Sequence, residues 1–159
     1  MLNRRVLIIR KVGIVLFIVF VIIQFIRPAR NNGLADGPND ISHIVQMPDT
    51  IQHILKTSCY DCHSNHTIYP WYAEINPVGL WLRNHIDDGK RAINFSDLSG
   101  FTKKKLDHRM GDIIETVEKG EMPLDTYTFI HRYAILDSGQ IKMIRSWVNS
   151  ARKEIGYQK

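Results

Sequence analysis

The chain has 159 residues, 23% of them charged and 44% hydrophobic, which is enough for one domain of ordinary size and too few for two with a linker. Its formal charge is +5, but six of the 21 basic residues (Arg4, Arg5, Arg10, Lys11, Arg27, Arg30) and none of the 16 acidic ones precede Asn31. From there on, 15 basic residues face 16 acidic ones. The basic excess is terminal, which argues against a nucleic-acid footprint, and the presence of only two cysteines excludes a multi-disulfide secreted scaffold.

Residues 12–26 read VGIVLFIVFVIIQFI, with Gln24 as the one polar side chain. As a helix this run reaches about 22 Å, short of a hydrocarbon core of about 30 Å. Counting from Val6 to Ile26 gives 21 residues, long enough to span, with Arg10, Lys11 and Arg27 snorkelling toward the headgroups. A cleaved signal peptide is the competing reading. It needs a small-residue cleavage site, and the nearest, Gly33-Leu34-Ala35, lies well downstream of Ile26. The expectation is an uncleaved signal-anchor over residues 1–30. The larger basic cluster stays in the cytoplasm, so the rest of the chain lies outside, in the periplasm of a bacterium, held on the inner membrane by a single span.

Residues 31–43 begin with Gly, Asn and Pro punctuation (NNGLADGPND) and read as a linker. Residues 44–159 carry helical patterns and no convincing period-two strand. Ile51, Ile54 and Leu55 share one helix face in residues 48–58. Asn76 and Pro77 look like an N-cap and first helical position ahead of Leu80, Trp81, Leu82, His85 and Ile86. Thr102 caps a helix through Leu106, Met110, Ile113, Ile114 and Val117, with Gly120 as its stop. Asp137 or Ser138 opens a last helix with Ile141, Ile144, Trp147, Val148 and Ala151. Four such helices make a modest core, and a bound cofactor would supply part of the missing apolar interior.

The two cysteines lie in C-Y-D-C-H: Cys59, Cys62, His63. Two thiols three residues apart on a helical turn point to one side, where both can add to the vinyl groups of one haem. The adjacent imidazole can then ligate the iron, and the string is the c-type haem attachment signal. Three rival readings stand beside it. A thioredoxin-like pair wants a βαβ context. A zinc site wants further ligands, with His66 and His85 the volunteers. The third is a plain disulfide. Attachment by thioether belongs outside the cytoplasm, where the anchor sends the domain, so motif and compartment agree.

A sixth ligand is sought next. Gly120-Glu121-Met122-Pro123 presents Met122 in a turn after a helix, stiffened by the fixed backbone of Pro123. A thioether ligand favours ferrous iron and raises the reduction potential. Met47, Met110 and Met143 read as a linker-edge residue and two helix-face residues, and His85 and His131 are the rival distal ligands. Tyr69, Trp71, Tyr72 and Trp81 suit the wall of a haem pocket or ordinary core packing. Tyr127, Arg83 and Arg91 are candidate partners for haem propionates. Lys103, Lys104 and Lys105 read as a solvated helix start, with docking of an acidic redox partner as the minority reading.

C-x-x-C-H, then G-x-M-P, then Leu136-Asp137-Ser138 opening an apolar-striped helix, resembles a class I cytochrome c domain. More closely, S-C-Y-D-C-H-S-N-H-T, Y-P-W-Y, I-N-P-V-G, N-F-S-D and M-P-L-D-T-Y followed by His131 resemble the bacterial haem-binding domain family of membrane-anchored c-type cytochromes, over roughly Ile44 to Val148. The resemblance implies an all-α, cytochrome c-like domain behind one transmembrane helix. It also implies one covalent haem on Cys59 and Cys62, with His63 as proximal and Met122 as distal iron ligand. Gly139-Gln140 stands where such final helices often carry an acidic residue, which weakens the helix start. The function expected is a monohaem electron carrier exchanging electrons with redox partner proteins. The alternatives are a peroxidase-like enzyme using His85 or His131 at an opened distal site, and a non-catalytic haem or gas sensor.

Overall fold

A computed structural model describes residues 2–157. Among them the structure is all-helical: seven α-helices, short 3₁₀ turns and one isolated antiparallel bridge between Asn32 and His66. The helices are α1 (Leu2–Ile23), α2 (Asp49–Ser58), α3 (Tyr60–His63), α4 (Val78–Ala92), α5 (Lys103–Glu118), α6 (Asp125–Thr128) and α7 (Ser138–Ile155). The chain divides into two units, Met1–Arg30 with Tyr69–His85, and Asn31–Ile68 with Ile86–Lys159. The first two turns of α4 therefore belong to one unit and its remainder to the other.

In the first unit, α1 is long and apolar enough to cross a membrane, and none of it is buried within the protein. Its helix stops at Ile23, and three tighter turns carry the chain from Gln24 to Ile26. Gln24 is not a stray polar residue. Its side-chain amide donates to the Asn76 carbonyl (2.9 Å) and accepts from the Asn76 backbone N–H (3.0 Å). The Asn76 side chain in turn donates to the carbonyls of Ile23 (2.7 Å) and Ile26 (2.8 Å). These carbonyls lie at and just beyond the end of the helix, where no continuing helical N–H follows to bond them fully. The N-cap role expected of Asn76 is thereby corrected. Its side-chain nitrogen closes the end of α1, the Asn76–Pro77 peptide is cis, and α4 starts only at Val78.

The second unit is built on α5 packed against α7, with α2 alongside. Met110, Ile144 and Val148 are essentially inaccessible at the centre. Thr102 caps α5 through the Lys105 N–H, and Gly120 ends it at φ +70°. Asp137 caps α7, and Gln140 reaches back to the Asp137 N–H to complete a capping box. Gln140 thus does the work an acidic residue does elsewhere, and the helix start is not weak. At the rim of this core the Trp147 indole donates to the Gln46 carbonyl (3.1 Å). Asp107 takes a two-pronged pair from Arg152 (2.7 and 2.9 Å).

Residues 31–43, expected as a linker, are folded against this unit. The Asn31 side chain donates to the Ser64 carbonyl and the Thr67 hydroxyl, both at 2.9 Å, and accepts from the Lys90 ammonium at 2.7 Å. Asp40 caps a 3₁₀ turn whose first residue, Ile41, is wholly buried. The segment has a loop's composition, but Asn31 spends its side chain on tertiary bonds rather than on water.

Candidate haem site

α2 ends and α3 begins at Cys59, whose N–H bonds back to Leu55 (2.8 Å). Its carbonyl accepts from both Cys62 (3.1 Å) and His63 (2.9 Å), so one tight turn carries the two thiols and the imidazole. Both cysteines are free thiols. Burial pushes the Cys59 thiol up to about 12 and the Cys62 thiol up to about 11, with Cys62 and Asp61 respectively adding to the effect. At neutral pH both are held protonated, so this is not the low-pKa thiol of a redox pair.

His63 is fixed from two sides. Its backbone carbonyl accepts from the Phe95 N–H (2.7 Å), and its ring Nδ1 lies 3.1 Å from the Ile93 carbonyl. A carbonyl oxygen only accepts, so Nδ1 carries the proton and Nε2 keeps its lone pair for a metal. Burial also lowers the tendency of this imidazole to protonate, which keeps that lone pair free. The arrangement is the usual support of a ligating histidine, whose second nitrogen is oriented by a hydrogen bond. Behind it the Phe95 ring stacks on Tyr60 at 5.5 Å.

Three contributors lay outside the sequence reading. Besides the Ile93 carbonyl, Gly89 of α4 lies so close to the motif that a Cβ there would sit 2.6 Å from the Cys62 carbonyl oxygen. Its signal was an isolated glycine inside a helical pattern, which usually has a packing reason. The third is Asp61, between the cysteines. It accepts from the Ile68 N–H (3.0 Å) and from the Tyr127 hydroxyl (2.7 Å), and its carbonyl accepts from Thr67 (2.6 Å).

Met122 follows Gly120, and its N–H bonds to the Thr116 carbonyl (3.2 Å). Its half-buried side chain packs on the same hydrophobic core as Cys59. Five residues on, the Tyr127–Asp61 bond ties this segment to the attachment turn. His131 is stacked on Tyr127 (4.4 Å), with Nδ1 2.7 Å from the Tyr133 hydroxyl. His85 donates from Nδ1 to the Trp81 carbonyl (2.9 Å). The three residues read as propionate partners are engaged within the protein: Tyr127 on Asp61, the Arg83 guanidinium on the Ala29 carbonyl, and Arg91 on Asp88. Trp71 and Trp81 are exposed rather than core, Tyr69 and Tyr72 are half-buried, and Lys103, Lys104 and Lys105 are exposed at the start of α5.

The donor set suits a haem. It offers two thiols and one correctly oriented imidazole, and among the described residues no group of three or more His, Cys, Asp and Glu gathers for a metal ion. Phe129, Ile130, Tyr133 and Ile135, just beyond the Met122 loop, each expose more than half of their surface, an apolar area of the kind a porphyrin covers. No curated protein and no solved structure matches the chain. The haem-binding domain family matches it over residues 18–150, from within α1 to within α7. With most of its length so matched, and with this donor set inside the match, the chain belongs to the haem-binding domain family.

Proposed function

We propose that the protein is a monohaem c-type cytochrome, held on the outer face of a bacterial inner membrane by α1, that passes electrons between redox partner proteins. Cys59 and Cys62 would hold the haem by thioether bonds, His63 would ligate its iron from the proximal side and Met122 from the distal side. Bound in this way, haem supplies one-electron chemistry, and the chain holds it, sets its potential and leaves an edge within reach of a partner. The observation that carries the reading is the His63 ring, oriented by its Nδ1 contact with the Ile93 carbonyl, on the same turn as two unbridged thiols. A distal thioether at Met122 closes the iron and favours carriage over turnover.

The test is expression of the full chain together with a haem-attachment system. The wild-type protein should carry haem stain through a denaturing gel and should show the sharp visible bands of a low-spin haem on reduction. Changing both Cys59 and Cys62 to Ala should abolish the stain. Covalent haem retained in that double variant would overturn the assignment.

A further inference from the structure

The segment Tyr69–Trp81 belongs to the same unit as the membrane helix, and its surface is unusual for a protein facing water. Trp71 exposes 77% of its area and Trp81 42%, with Ile75 and Val78 between them similarly exposed. Val78 and Trp81, three apart, share a face of α4. Two tryptophans and two branched aliphatics within eleven residues form a patch that water does not favour.

Its position says what covers it. The 20 residues of the apolar span Arg4–Ile23 reach about 30 Å, the thickness of a hydrocarbon core, and the headgroup layer beyond is about 5–7 Å deep. Asn76 touches the carbonyls at the end of that helix directly, and Ile75 and Val78 are one and two residues from Asn76, within about 7 Å of chain. Gln24 locks the contact from the other side with two bonds to the Asn76 backbone. Arg27 and Arg30 both pair with Glu74, and Arg83 bonds the Ala29 carbonyl, so three cations face one anion here. Trp and Tyr are the side chains that settle at the headgroup level, and a positive excess suits lipid phosphates.

We propose that Tyr69–Trp81 is a second, interfacial contact with the phospholipid bilayer, in which Trp71, Ile75, Val78 and Trp81 seat in the headgroup layer, locked to the end of α1 by Gln24 and Asn76. The proposal rests on the membrane anchorage argued above. It makes α1 more than a tether, because the span and the seated segment move as one body.

The chain holds three tryptophans, and the third, Trp147, is buried in the core of the other unit, so it serves as an internal control. The full haem-loaded protein, labelled with 5-fluorotryptophan and kept reduced, is placed in nanodiscs of phosphatidylcholine and phosphatidylglycerol with or without a doxyl-labelled lipid. Resonances are assigned with W71F, W81F and W147F. The Trp71 and Trp81 signals should lose most of their intensity to the lipid-borne label, while Trp147 keeps its own. Asn76→Ala, and separately Gln24→Ala, should restore much of the Trp71 signal. Full intensity at both rings in a protein that still elutes with the discs overturns the interfacial contact and leaves the anchor standing. So do rings that respond to the oxidation state of the haem but not to the lipid label. Elution apart from the discs overturns the anchorage itself, and unchanged broadening in both variants overturns the lock.

Discussion

At the scale of single residues, the proposal turns on Met122. If its sulfur closes the iron, the oxidised protein should show a weak sulfur-to-iron charge-transfer band, and Met122→Ala should remove it. The variant should bind carbon monoxide faster and lose reduction potential, because a ligand that favours ferrous iron is gone. His85→Ala and His131→Ala should keep the band, because neither removes the sulfur. A wild-type protein that is already high-spin, or a His85 variant that changes coordination, would make Met122 core filler and move the peroxidase-like reading ahead. Optical titration of the four proteins decides among these outcomes.

At the scale of elements, the informative contact is α4 passing over the attachment turn. Gly89→Ala would drive a methyl group into backbone, 2.6 Å from the Cys62 carbonyl oxygen. That clash should cost about 1–3 kcal/mol and lower the yield of haem-stained protein. Gly111→Ala, inside α5, meets only the Arg152 guanidinium at an ordinary 3.7 Å and should stabilise by about 0.5–1 kcal/mol, the helix preference of Ala over Gly. Urea midpoints of the two variants should therefore move in opposite directions. The pair also shows what was legible in the sequence. α5 and α7 could be read because their caps and apolar stripes are local: Thr102 sits three residues from the N–H it accepts from and Asp137 three from Gln140. Cys59, Cys62 and His63 could be read because one turn holds all three. Asn76 could not, because an Asn-Pro pair ahead of an apolar stripe is a good local cap signal, and a contact with Gln24, 52 residues away, outcompetes it. The Ile93 carbonyl and Gly89 were equally hidden. A backbone acceptor has no letter of its own, and the same glycine letter stands at Gly89, where a Cβ clashes, and at Gly111, where one fits.

At the scale of the whole molecule, the proposed topology rests on the distribution of charge and on the long apolar α1. A reporter active only outside the cytoplasm, fused after Lys159, should be active, and the protein should stay with the membranes through a high-salt wash. Recovery of a shortened soluble form would show that the first segment is a cleaved signal instead. The family match begins at residue 18, so it takes in the last residues of α1. The clamp between Gln24 and Asn76 follows directly, where the helix end and the segment before α4 complete each other's hydrogen bonds.

The bond between Asp61 and Tyr127 sets an order of events. Residue 61 lies between the two cysteines, and its carboxylate waits for a hydroxyl 66 residues further along the chain. On the proposed topology, a polypeptide threaded outward from its N-terminus presents the C-Y-D-C-H turn well before Tyr127 arrives to latch it. On the proposed attachment chemistry, that interval is when the cysteines are open to a maturation enzyme. Once the latch closes, the turn between the two cysteines is fixed by Asp61 and Tyr127, so on this reading the loading of the cofactor is timed by the direction in which the chain emerges.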